Sequence, residues 1–223
     1  MTILKTITLI TILIFLLSCK QTKPQNENDV EIVLPDTSVN HRPNTWYLGA
    51  KNIRRQLNLK NLELGVDSIE IRIYQQGGWN PNHVIIIKNE NKIWSASVIS
   101  YHTHLLSENE IQFDTTSDTN QFFHLVVDSA EFENLIVKSS WNNLLDSLQF
   151  FGINTLPSQQ DIKGFEDRSD DGIEYHFEIA TKHRYKFYTY HCPAMYSDNY
   201  NQSIVNILGL INRELKGMMM IDC

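Results

Sequence analysis

Ile69, Ile71 and Ile73 alternate with Glu70, Arg72 and Tyr74, the period of two that marks a half-buried strand. The turn-forming run Gln76 to Asn82 separates it from Val84–Ile87, a β-branched stretch whose lack of alternation predicts burial on both faces. After a turn at Asn89-Glu90-Asn91, Trp94, Ala96 and Val98 share one face of a third strand over Lys92–Tyr101, and Phe122–Val127 reads as a fourth. The period then changes. Trp141, Leu144, Leu145 and Leu148 fall at i, i+3, i+4 and i+7 behind the capping candidates Ser139 and Ser140, which predicts a helix ending near Gly152. Two more strands are expected at Ile173–Ile179 and Tyr185–Tyr190. A last helix, with Asn199 and Gln202 spaced as a capping box, buries Ile204, Ile207, Leu208, Ile211 and Leu215. Strands, helix, strands, helix, without regular βα alternation, predict an α+β fold: a mostly antiparallel sheet with helices packed against it. A shorter helix is expected around Ala50–Leu57.

The N-terminus is of another kind. Lys5 precedes an apolar run from Ile7 to Leu17, broken only by Thr8 and Thr11, which fits a secretory signal core and is too short to span a bilayer. Leu16-Leu17-Ser18-Cys19 resembles the lipobox of bacterial lipoproteins, which implies removal of residues 1–18 and acylation of Cys19. Residues 19–45 hold Pro24, Pro35 and Pro43 without sustained periodicity and read as a flexible tether reaching about 30 Å. Val30–Leu34 within it is open to a second reading as a short edge strand or docking segment. A single globular domain is expected over 46–223, with a division into subdomains 46–137 and 138–223 left open. The signal peptide carries only Lys5 of the charges, so the mature chain is one unit more negative than the −7 of the full sequence. That balance argues against nucleic acid as a partner and assigns membrane attachment to the lipid on Cys19. Lys20 after Cys19 resembles outer-membrane sorting. With Cys19 acylated in an oxidising compartment, Cys192 and Cys223 are left to pair; a buried thiol and a frayed terminal one are the alternative.

WNNLLDSLQFFGINTLP and DGIEYHFEIATKHRYKFYTYHCP, between Trp141 and Pro193, resemble stretches of exported Bacteroidota lipoproteins that carry no assigned activity. The resemblance implies a cell-envelope location and supplies no catalytic residues.

Asp167, Ser169, Asp171, Gly172 and Glu178 occupy positions 1, 3, 5, 6 and 12 of an EF-hand-like calcium loop. Against it, Glu174 stands where an apolar residue packs, and residues 173–179 alternate like a strand, so the loop reads as an acidic turn feeding a hairpin and no metal is expected. His102 and His104 would share a strand face and could chelate zinc or copper with a third ligand that the sequence does not identify. Ser197-Asp198-Asn199 resembles one box of the penicillin-binding enzymes, but no Ser-x-x-Lys or Lys-Thr-Gly accompanies it. No catalytic residue and no cofactor is assigned.

The second hairpin supplies a candidate binding face. A register centred near Lys182 pairs Glu178 with Lys186, His176 with Tyr188 and Glu174 with Tyr190. It puts Tyr175, Phe177, Tyr185 and Phe187 in the core and Glu174, His176, Glu178, Lys186, Tyr188 and Tyr190 on the other side. A helix lying over that side is the alternative. These observations favour a lipid-anchored, non-enzymatic binding or accessory module of the envelope, placed at the outer membrane by its sorting residue alone, with an envelope protein or glycan as partner. An envelope hydrolase or metal-dependent enzyme, and an immunity-type protein against a toxin, are the other two classes.

Overall fold

The computed structural model describes residues 29–36, 42–77, 81–105, 125–167 and 171–215. Seven strands form one sheet: β1 (Glu31–Val33), β2 (Ile69–Gly77), β3 (Asn82–Glu90), β4 (Ile93–Leu105), β5 (Leu125–Leu135), β6 (Ile173–Thr181) and β7 (Arg184–His191), in spatial order β1-β7-β6-β2-β3-β4-β5. All neighbours are antiparallel except β1 and β7, which run parallel through Glu31–Arg184 to Val33–Lys186. The described helices are α1 (Arg42–Gln56), α2 (Trp141–Phe150) and α3 (Asn199–Leu215). The expected mostly antiparallel α+β architecture is what the chain adopts.

The two sides of the sheet are covered by different helices. Ile71, Ile73, Ile85, Ile87, Val98, Phe177 and Tyr188 form one core with Leu144 and Leu148 of α2 and Ile204, Ile207, Leu208 and Ile211 of α3. The opposite side packs against α1 in two patches, one around Tyr47, Ala50, Tyr185 and Phe187 and one around Ile53, Tyr74, Val84, Ile86 and Tyr101. β2, expected to be half-buried, is therefore buried on both faces: Arg72 is 1% exposed and Tyr74 0%. The expected helix over Ala50–Leu57 was the last part of a 15-residue α1 whose start the proline-bearing segment conceals; Pro43 falls in its first turn, where a missing N–H costs nothing.

Several boundaries move for identifiable reasons. The stretch 19–45 is not tether throughout, because β1 lies on the β7 edge and α1 starts at Arg42; residues 19–28, with Cys19, lie outside the described residues. β6 pairs with β2 over nine residues, from Ile69–Thr181 to Gly77–Ile173, so one continuous sheet joins the proposed subdomains. The fourth strand runs on through the polar residues Asp128–Asn134 to Leu135, and 122–124 lie outside the described residues. Ser140 caps α2, accepting from the Asn143 N–H at 3.2 Å. Asp198, rather than Asn199, caps α3, its Oδ1 accepting from the N–H groups of Tyr200 and Asn201.

The β6–β7 register is shifted by one residue from that expected. Glu178 lies opposite Phe187, Phe177 opposite Tyr188 and Tyr175 opposite Tyr190. Opposed residues share a face, so Lys186, Tyr188 and Tyr190 lie on the α2/α3 side while Glu174, His176 and Glu178 lie on the α1 side. The six-residue binding face is thus divided between two sides. Tyr185 and Phe187 are buried as expected, but so are Tyr188 and Tyr190, because helices cover both sides.

The β3–β4 turn offers a simple stability test. Asn91 (φ 53°) and Lys92 (φ 67°) both adopt the left-handed conformation between the paired residues Glu90 and Ile93, as a two-residue hairpin loop of the primed kind requires. A lysine pays roughly 1 kcal/mol for that conformation. Lys92→Gly is expected to stabilise the fold by about 0.5–1 kcal/mol, read as a higher urea midpoint; an unchanged or lower midpoint contradicts the turn assignment.

Candidate functional site

Glu178 is enclosed between β6 and α1, with its residue 0% exposed. Its Oε1 accepts from Arg54 Nη1 at 2.8 Å and from the Tyr185 hydroxyl at 2.8 Å; its Oε2 accepts from the Tyr74 hydroxyl at 2.6 Å and lies 3.6 Å from Arg72 Nη1. Arg72 Nε donates to Glu70 Oε1 at 2.7 Å, and Arg54 Nη2 donates to Glu63 at 2.9 Å. Lys51 extends the chain of charges to the surface through Glu63 at 3.4 Å. Burial alone would raise the Glu63 carboxyl, but hydrogen bonds from Arg54 and Tyr47 outweigh it and hold the group below its ordinary value. Burial and the Glu178 charge push the Tyr74 and Tyr185 hydroxyls well above theirs, so both stay protonated as donors. This network separates the two apolar patches beneath α1. Its chemistry is that of a fixed anchor: the buried carboxylate accepts three hydrogen bonds from protein donors and faces two arginines.

The calcium-loop residues do not converge. Glu178 is committed to the arginines; Asp167 faces His191 Nδ1 at 3.4 Å and the Tyr196 hydroxyl at 3.4 Å. Ser169 lies outside the described residues, and Asp171 precedes β6 at its opposite end from the Glu178 anchor. His104 pairs with Asp128, the residue that bulges from β5 between the partners of His102 and Thr103, and both histidines are exposed on β4. No group of three or more metal-ligating side chains occurs among the described residues. Glu174 and His176 contact each other at 3.3 Å, and the His176 ring lies between Trp46 and Phe187.

On the other side, Lys186 Nζ donates to the carbonyls of Leu156 at 2.6 Å and Asn154 at 3.3 Å, and Tyr188 donates to Ile153 at 2.8 Å. These bonds hold the segment after α2 against β7. Burial, reinforced by Arg184 and opposed by Asp161, lowers Lys186 from 10.5 to about 8. Between those values the unfolded chain binds more protons than the folded one, so this group adds stability as pH rises. Unfolded tyrosines begin to ionise near 10, which confines the clean window to pH 8–10. Across it, urea unfolding of the wild type should strengthen relative to Lys186→Met; parallel pH profiles would refute the shift.

Side-chain amides and hydroxyls manage the sheet edges. Beyond β1, the β7 edge is met by Ser158, whose hydroxyl accepts from the Thr189 N–H at 3.0 Å, and by Gln159, which accepts from the His191 N–H at 2.8 Å and donates to its carbonyl at 3.0 Å. At the opposite edge, Asn52 and Gln56 of α1 donate to the Leu125 carbonyl at 3.0 and 2.8 Å, and Gln56 accepts from the Val127 N–H at 2.8 Å. Asp128–Asn134 then runs exposed. Between it and the end of α1 lies an open groove of about 380 Å³, lined by Leu57, Ile99, Val127 and Phe132 among others, with Phe132 64% exposed. Sequence reasoning missed this surface. Its one signal was a lone phenylalanine within an otherwise polar, acidic run.

Compared with known proteins, the chain matches no protein-family model, no curated protein and no solved structure.

Proposed function

We propose that this chain is a lipid-anchored, non-enzymatic binding or accessory module of a bacterial cell envelope, held at the outer membrane through Cys19. The observation that carries the reading is the apolar signal ending in Leu16-Leu17-Ser18-Cys19 a short distance ahead of a folded domain. Asp29 is ten residues beyond Cys19, a stretch that reaches at most about 35 Å when fully extended. The acylated cysteine would therefore keep the β1 end of the sheet near the headgroups and the domain among envelope components. Its partner is an envelope protein or glycan, and the net charge of −7 disfavours nucleic acid. No described helix is long and apolar enough to cross a membrane, so attachment in this reading rests on the lipid, for which two or more chains are needed.

Cys19→Ala is expected to stop signal processing and shift the protein from the membrane fraction to the soluble fraction. Unchanged processing and membrane association would overturn the anchor. Affinity purification of the intact protein from solubilised envelopes tests the binding role: a stoichiometric partner supports it, whereas glycan or peptide turnover by the purified protein would replace it with an enzymatic one.

A further inference from the structure

We propose that the free edge of β5 binds, by strand addition, an extended basic segment of a partner protein in which lysine or arginine alternates with apolar residues; this deepens the binding-module reading and rests on it. Among the described residues, β5 is the last strand of the sheet and pairs only with β4. Asn52 and Gln56 occupy the edge at Leu125 and Val127, and no comparable side-chain cap reaches Asp128–Leu135 among the described residues. An edge of this kind presents alternate backbone donors and acceptors that an incoming strand satisfies.

The side chains define which strand fits. Phe132 and Ala130 lie opposite Ile99 and Tyr101, on the α1 side, where Phe132 stands exposed beside the Leu57–Ile99 groove. Glu131 and Glu133 lie opposite Ser100 and Val98, on the other side, and both are exposed. An added strand therefore meets an apolar surface on one face and two carboxylates on the other, with Asp128 at the bulge nearby. Apolar residues alternating with Lys or Arg complement both faces. A second copy of this chain does not: antiparallel pairing centred on Phe132 would set Glu131 against Glu133 of the other copy, and like charges directly opposite are destabilising. The same acids that guard the edge against self-association select a basic strand.

The test uses the full-length protein in detergent and three probe peptides: an eight-residue lysine–valine repeat, the glutamate–valine repeat, and the lysine–valine repeat with alternate amides N-methylated. Hydrogen exchange should slow over residues 128–135 with the first peptide alone, and N-methylation should weaken binding at least tenfold. Glu131→Lys combined with Glu133→Lys should reverse the preference between lysine and glutamate peptides, by about tenfold. Slow exchange of 128–135 in the free protein, meaning that the chain itself covers the edge, overturns the proposal; so does protection elsewhere, or equal binding of both charged peptides. Capture from solubilised envelopes separates the two readings. A partner retained equally by the intact and the doubly substituted protein keeps the binding module and removes β5 as its site. Peptide binding at β5 without any retained envelope protein keeps the edge assignment and removes the module.

Discussion

Glu178→Ala should destabilise the fold by about 3–5 kcal/mol, the cost of breaking a buried ion pair by removing one partner. The substitution leaves Arg54 and Arg72 enclosed without the charge that both face, and the Tyr74 and Tyr185 hydroxyls without their acceptor. Glu178→Gln keeps the volume but turns an amide NH2 toward groups that are themselves donors, so it should recover little. Replacing both ends, Arg54→Met with Glu178→Leu, removes the buried charge in pairs and should cost much less than the two single changes summed. Urea unfolding at constant pH measures all of them. A loss below about 1 kcal/mol for Glu178→Ala would mean that water reaches the site and that the network does not bind α1 to the sheet.

Why this anchor was hidden, while much of the fold was legible, comes down to what periodicity encodes. Ile69–Ile73 and Val84–Ile87 were readable because their apolar residues all face cores, and α2 because Ser140 caps a clean helical stripe. The second hairpin offered no such unique solution. Aromatic residues occupy both faces of β7, as Tyr185 and Phe187 on one and Tyr188 and Tyr190 on the other, so alternation fits two registers equally. Its loop, Lys182-His183, has none of the Asn-Gly or Asp-Gly chemistry that fixes a hairpin. A slip of one residue was enough to move Lys186, Tyr188 and Tyr190 across the sheet. The Arg54–Glu178 bond spans 124 residues of sequence, and local pattern does not report contacts at that separation. β5 was under-read for the opposite reason: Asp128–Asn134 buries so little that it shows no period.

Reduction of the disulfide should produce the other large effect. Cys192 is buried and disulfide-bonded, and the sequence contains only two other cysteines, Cys19 and Cys223, both outside the described residues. The proposed anchor needs the Cys19 sulfur for its acyl chain, which leaves Cys223 as the partner; a Cys19–Cys192 bond and an acylated Cys19 are mutually exclusive. Non-reducing peptide mapping of protein taken from the envelope distinguishes them, so the measurement bears on the anchor as well as on the bridge. A bond to Cys223 closes a loop of about thirty residues containing α3, worth roughly 3–4 kcal/mol through the entropy of the unfolded chain. Cys223→Ser is the better variant, because Cys192→Ser would also bury a hydroxyl at a 0% exposed position. Cys223→Ser and dithiothreitol should lower the urea midpoint by similar amounts and not additively. A midpoint insensitive to both, or two free thiols in the unfolded oxidised chain, would exclude the Cys192–Cys223 bridge.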